Sequence, residues 1–231
     1  MDSGKPQHQL GRREICIIGL GAILSAGSIA LFPRLLVAQT PEKAENPIRV
    51  GDRWTYATKD EITGLPTETF THVVTEISAN QIVVAASTQG SSGSRLVIFD
   101  RDWNRIDDRN LKFKPNNGLG IRPTLAVGAE WHSENEARNT ETGSAWKNKV
   151  SSKVVAQETI TTPAGTFETF KIETRRHEIS AKDPAKFWDY EYLKWYSPQI
   201  NHWVRWSSIG KVQNRLQTSR SEELIEFGRK E

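Results

Sequence analysis

Beyond residue 45 β-rich runs dominate this chain, with apolar residues alternating in part, and no stretch of a dozen residues carries them at helical spacing. Period two sends alternate side chains to opposite faces of a strand. Val150, Val154, Ala156 and Ile160 share one face, and Ser151, Lys153, Gln157 and Thr159 share the other. Thr71–Ser78 and Gln81–Ala85 are β-rich runs around the polar break Ala79-Asn80, which predicts a hairpin. Arg95–Phe99 predicts another strand, ended by the Asp/Asn-rich stretch 100–110. Pro163-Ala164-Gly165 turns the chain, and Phe167–Ile179 returns with Phe170 and Ile172 facing inward. Phe187–Tyr196, His202–Ser207 and Ser221–Phe227 supply three more strands. Short gaps favour antiparallel neighbours without crossover helices. The expected fold is all-β, a single twisted antiparallel sheet of about ten strands curled toward a barrel or half-barrel. It would occupy residues 49–231, after a flexible leader at 39–48, with surface loops at 115–125 and 133–146.

A faint internal repeat lies under this pattern. Val50-Gly51-Asp52-Arg53-Trp54 returns as Val127-Gly128-Ala129-Glu130-Trp131, and Phe70 and Val73-Val74 are echoed by Trp146 and Val150. Each Val-Gly pair would turn the chain into a strand whose Trp enters the core.

The first 38 residues read differently. Arg12-Arg13 precedes an 18-residue run from Ile15 to Phe32, and Leu36-Val37-Ala38 follows as a cleavage site. A basic segment, an apolar segment and small residues at the cut make an export signal. Gly19, Gly21, Ser25, Gly27 and Ser28 weaken the run below the roughly 20 strongly apolar residues of a membrane span. Two routes fit: a twin-arginine signal, from which Gly11 and Cys16 depart, and the general secretory signal. Either delivers a periplasmic or secreted product, with the export machinery as partner of residues 1–38. The alternative is an uncleaved anchor over 15–32.

Removing the signal changes the charge. Lys+Arg falls from 31 to 27 and Asp+Glu from 28 to 26, so the net charge drops from +3 to +1. That balance gives no support for nucleic-acid binding. Cys16 is the only cysteine, so the mature chain has no disulfide, thiolate nucleophile or cysteine metal site. No cofactor is implied, and oligomeric state has no signature. All eight tryptophans lie in the mature part.

Candidate chemistry is sparse. Asp100, Asp102 and Asn104 have calcium-loop spacing, but Arg105 and Leu111 replace the required Gly and Glu, so the stretch reads as a polar turn. His72, His132, His177 and His202 show no ligand spacing and read as surface strand residues. Gly90-Ser91-Ser92-Gly93-Ser94 is no nucleophile elbow. Near the C-terminus, Trp188, Tyr190, Tyr192 and Tyr196 share one strand face, with Leu193 and Trp195 on the other. Trp203 and Trp206 fall on opposite faces of the next strand. Aromatics at period two fill a sheet core or stack on a sugar or apolar ligand. The interleaved Asp189, Glu191 and Lys194 mark a face that meets water. The candidate ligand-binding residues are Trp188, Tyr190, Trp203 and Trp206. No catalytic or metal residue is assigned.

Thr162-Pro163-Ala164-Gly165-Thr166-Phe167, the later Trp195-Tyr196-Ser197-Pro198 and the early Val50-Gly51-Asp52-Arg53-Trp54 resemble a large uncharacterised family of bacterial envelope proteins with a "PAGTF…WYSP" pattern. The resemblance covers about residues 48–228 and implies an exported β-rich domain. At the level of fold it is similar to periplasmic lipoprotein carriers, whose half-barrel holds acyl chains. The expectation is a non-enzymatic envelope module that binds or carries a lipid or other apolar ligand. A structural, partner-binding role is the alternative, and a carboxylate-based hydrolase the third.

Overall fold

The computed structural model describes residues 47–108, 110–117 and 119–229. Residues 1–38, read as an export signal, and all of the expected leader except Pro47 and Ile48 lie outside them. Ile48 is buried in the core.

Twelve strands follow one another: β1 (Arg53–Asp60), β2 (Pro66–Ile77), β3 (Gln81–Thr88), β4 (Arg95–Asp100), β5 (Arg105–Asp108), β6 (Leu111–Lys114), β7 (Glu130–Asn139), β8 (Ala145–Thr162), β9 (Gly165–Ser180), β10 (Phe187–Ser197), β11 (His202–Val212) and β12 (Arg215–Gly228). Each pairs antiparallel with its sequence neighbours, and β12 pairs with β1 to close the sheet into a barrel. The antiparallel single sheet is as expected, but it is closed, with twelve strands rather than ten. The extra strands come from stretches read as loop. β5 and β6 are four residues each, too short for alternation to register. β7 runs through 133–139 because its inward positions include Asn135 as well as Trp131 and Ala137. The 115–125 loop is no surface loop throughout: Ile121 and Leu125 are buried in the core.

The core lies at one end of the barrel. Trp54, Tyr56, Val74, Val84, Val97, Val204 and Leu224 alternate inward from their strands and pack there with Trp103 and the folded-in 121–125 segment. Ile121 N–H donates to the Asp102 carbonyl (2.5 Å), which ties that segment to the β4–β5 turn. Asp100 organises the same turn. Its carboxylate accepts from the Asp102 and Asn104 amides (3.0 and 2.8 Å) and from the Asn104 and Asn116 side chains (3.1 and 3.0 Å). The Asp100–Asn104 spacing is therefore that of a hydrogen-bonded turn.

The outer wall is polar. Cross-strand ion pairs dot it, including Arg53–Glu226, Lys153–Glu130, Lys149–Glu134 and Lys211–Glu191. A barrel that crosses a bilayer carries an apolar outward band instead.

The Val-Gly corners of the internal repeat are structural, but the expected echo of Val73-Val74 at Val150 is not, because the residue that corresponds to Val74 is Val154. Gly51 and Gly128 both sit at φ +92°, where a side chain would be strained. Gly51 N–H donates to Val74 O and Gly128 N–H to Val154 O, each at 2.8 Å. Val74 and Val154 N–H return to Asp52 O and Ala129 O, each at 2.9 Å. The ladder slips by one residue just after Val74 and again just after Val154. The next turns match too: Asp60 accepts from the amides of Ile62 and Thr63, and Asn139 from those of Glu141 and Thr142. The β1–β2 and β7–β8 hairpins share one plan, as do the slips that follow them where β3 and β9 pair.

Candidate functional site

Above the packed end the barrel encloses a cavity of about 670 Å³. One wall is aromatic and comes from β10 and β11. Tyr190 and Tyr192 point inward at period two with rings nearly parallel, their centroids 5.9 Å apart, and Tyr192 stacks on Trp206 at 5.7 Å. Gly210 lies opposite Tyr190 in the ladder, and a methyl there would meet the Tyr190 ring at 3.1 Å, so the missing side chain lets the ring lie over the strand. Arg176 of β9 caps the wall, its guanidinium 4.3 Å from the Tyr190 ring centre.

Of the aromatic residues singled out in the sequence, Tyr190, Trp203 and Trp206 line this cavity together, while Trp188 does not. Trp203 and Trp206 were expected on opposite faces. The β10–β11 ladder slips where Trp195 faces Arg205 but Tyr196 faces Trp203, so Val204 is an extra residue and alternation restarts. Both tryptophans thereby line one cavity.

The lining is not apolar. Arg95, Arg105, Arg176, Lys194 and Arg220 face it with two carboxylates, Glu68 and Glu222. Asp189 and Glu191 do lie on the outer face, where they pair with His177 and Lys211. Lys194 does not, because it shares parity with Tyr190 and Tyr192. Its ammonium donates to the Leu119 carbonyl (3.0 Å) and lies 5.3 Å from the centre of the Trp203 ring. Burial, helped by Arg105, lowers its pKa to about 8. Burial likewise raises Glu222 to about 7.

Two histidines that sequence reasoning put on the surface lie inside the barrel: His72 lines the cavity, and His202 is buried in the aromatic cluster beside it. His202 is fully buried, sandwiched between Trp54 (4.2 Å) and Trp203 (3.7 Å), and its Nδ1 is hydrogen-bonded to the Tyr56 hydroxyl. His72 lies edge-on to it, 6.1 Å between ring centres. Burial pushes His72 down to about 3 and His202 well below its ordinary value. The signal was present for His72, which has the parity of Val74; His202, between a turn and the slip at Val204, carried none. Among the described residues no group of three or more His, Cys, Asp or Glu is placed to hold a metal ion. The arrangement suits binding: an aromatic wall for a flat or apolar body and fixed charges for a polar group.

No protein-family model matches the sequence, and no curated protein matches it. Solved structures do share the fold. A "putative lipoprotein" from Parabacteroides distasonis superposes with a TM-score of 0.55 at 16% identity, over 82% of this chain and 100% of that one. A "putative exported protein with YmcC-like fold" from Bacteroides fragilis superposes with a TM-score of 0.50 at 15% identity, over 79% of this chain and 98% of that one. At such identities the likeness is one of fold.

Proposed function

We propose that this protein is an exported, non-catalytic envelope module that holds a small amphiphilic ligand inside its barrel. The observation that carries the reading is the cavity of about 670 Å³, with Tyr190, Tyr192, Trp203 and Trp206 presented along its wall. Sites for small ligands are concave, of this size, and combine apolar surface with a few placed polar groups. The signal-like residues 1–38 and the two neighbours described as lipoprotein or exported support an envelope location. The polar outer wall suits a barrel that works in water after its signal is removed.

Titration with the neutral dye N-phenyl-1-naphthylamine, read by tryptophan fluorescence, tests the interior site. Saturable binding that Trp206→Ala weakens at least several-fold, with the fold intact by circular dichroism, is expected. Dye binding that Trp206→Ala leaves unchanged, or none at all, would refute the reading. Native mass spectrometry of protein taken from the envelope then weighs what co-purifies. For export, replacing Arg12 and Arg13 by Lys should block appearance of a product beginning near Gln39; unchanged export would instead assign the general secretory route.

A further inference from the structure

The five cations of the cavity are not equivalent. Arg176 has the Glu178 carboxylate 3.4 Å away and is clasped by Tyr190. Arg220 is exposed to solvent. Arg95 and Arg105 are engaged by further interactions. Lys194 alone combines a position in the middle of a strand, a cavity-facing ammonium and no carboxylate within 4.0 Å among the described residues.

An ammonium has three donors, and here one neutral carbonyl takes one of them. The Trp203 ring face adds a cation–π contact. Lys194 is half-buried, and withdrawing a charge from water with such partial compensation is unfavourable. Glu222, two strands away across Trp206 in the ladder, is the internal counter-ion: its charge acts on Lys194, but the two make no ion pair within 4.0 Å among the described residues. The other ionisable groups of this region are Glu68 and His72 of β2, Arg95 of β4, Arg105 of β5, Arg176 of β9, Tyr190 and Tyr192 of β10, His202 of β11 and Arg220 of β12.

We propose that Lys194 is the anchor for the acid group of an amphiphilic carboxylate whose body lies against Trp203, Trp206 and Tyr192. The proposal rests on the reading of the barrel interior as a ligand site, and adds the charge class of the ligand and the residue that selects it. A carboxylate brings two acceptor oxygens to the two spare ammonium donors in a water-poor site, where a charge-assisted hydrogen bond is strongest. The lining as a whole carries five basic side chains against the carboxylates of Glu68 and Glu222, a balance that favours an anion.

The test compares dodecanoate with dodecanol by calorimetric titration of the wild-type protein and of Lys194→Met. The wild type is expected to bind the acid at least tenfold more tightly than the alcohol. Lys194→Met should bring the acid down to the level of the alcohol and leave alcohol binding within twofold, and Lys194→Arg should restore part of the preference. The unliganded Lys194→Met protein should melt no lower than wild type, since it removes a desolvated charge. A clear fall in its melting temperature would mean that Lys194 serves to hold the 115–125 segment through Leu119, and would overturn the proposal. Equal affinities in the wild type, or an acid preference that survives Lys194→Met, would overturn it while leaving interior binding standing. Failure of the wild type to bind either compound, or the neutral dye, would overturn both readings.

Discussion

The corners at Gly51 and Gly128 have the same φ and the same pair of ladder hydrogen bonds, yet their tryptophans live in different surroundings. Trp54 is 0% exposed and packs against Trp103, His202 and Phe227. Trp131 is 7% exposed and has no ring neighbour among the described residues. Beside the first corner, Asp52 is buried and accepts two hydrogen bonds from Arg229 (2.8 and 2.9 Å); the matching residue of the second is Ala129. The first half supplies much of the aromatic plug, and both halves line the cavity, the first with Phe70, Phe99 and Phe113 and the second with Tyr190, Tyr192 and Trp206. Backbone plan and side-chain task are thus separable: turns and slips recur, while the inward residues differ.

The largest test of that contrast is Trp54→Ala against Trp131→Ala in urea unfolding. Trp54→Ala should destabilise by about 3–5 kcal/mol, the range for a large aromatic removed from a core. Trp131→Ala should lose at least 1 kcal/mol less, because fewer rings surround the gap. Equal losses would mean that the two corners are energetically as alike as their backbones.

Asp52→Ala makes the first corner like the second. It strands Arg229, whose partial exposure moderates the effect to about 2 kcal/mol, below the range for fully buried pairs. The double variant Asp52→Ala/Arg229→Ala should recover part of that loss in the same assay. No recovery would show that the ion pair is not what distinguishes the corners.

Acid probes the plug next. His72 and His202 are held neutral by burial, so the unfolded chain binds their protons first. A depressed pKa means that the stability these residues contribute is present above pH 6.5 and is lost as pH falls toward about 3. Each should remove about 1.4 kcal/mol per pH unit in that window. Urea midpoints between pH 7.5 and 5 should decline accordingly, and His72→Gln should flatten the decline by the share of one proton. A wild-type profile that is flat over this range would show that the plug admits water and charge.

The smallest effects belong to the matched outward positions Arg53 and Glu130. Each makes an exposed cross-strand pair, with Glu226 and Lys153, and replacing either by Ala should change stability by less than about 1 kcal/mol. A larger loss at one of them would reveal a difference between the corners on the outer wall too.

Strands whose inward positions are aliphatic were legible in the sequence, as Val74, Val84, Val97 and Val154 show. The Pro163-Ala164 turn and the Trp195 anchor were legible for the same reason: turn chemistry and large buried surface are local signals. β7 was obscured because a strand that borders a charged cavity carries Asn where a core strand would carry Val. The site was half legible. Parity placed Tyr190 and Tyr192 together, and would have placed Lys194 with them had its charge not suggested water. The union of Trp203 with Trp206 was hidden, since the extra residue at Val204 depends on its partner strand.

The pairing of β12 with β1 sets a schedule for the birth of the molecule. Every other pairing joins neighbours along the chain, but Arg53 must wait for Gly228 and Trp54 for Phe227. Until the last strand emerges, β1 and β11 present two bare edges that can template pairing with other chains. Ring closure between such distant segments is also slow, because a long loop must be ordered before the contacts reward it. A ribosome that stops after residue 214 would release an open, adhesive sheet in place of a barrel.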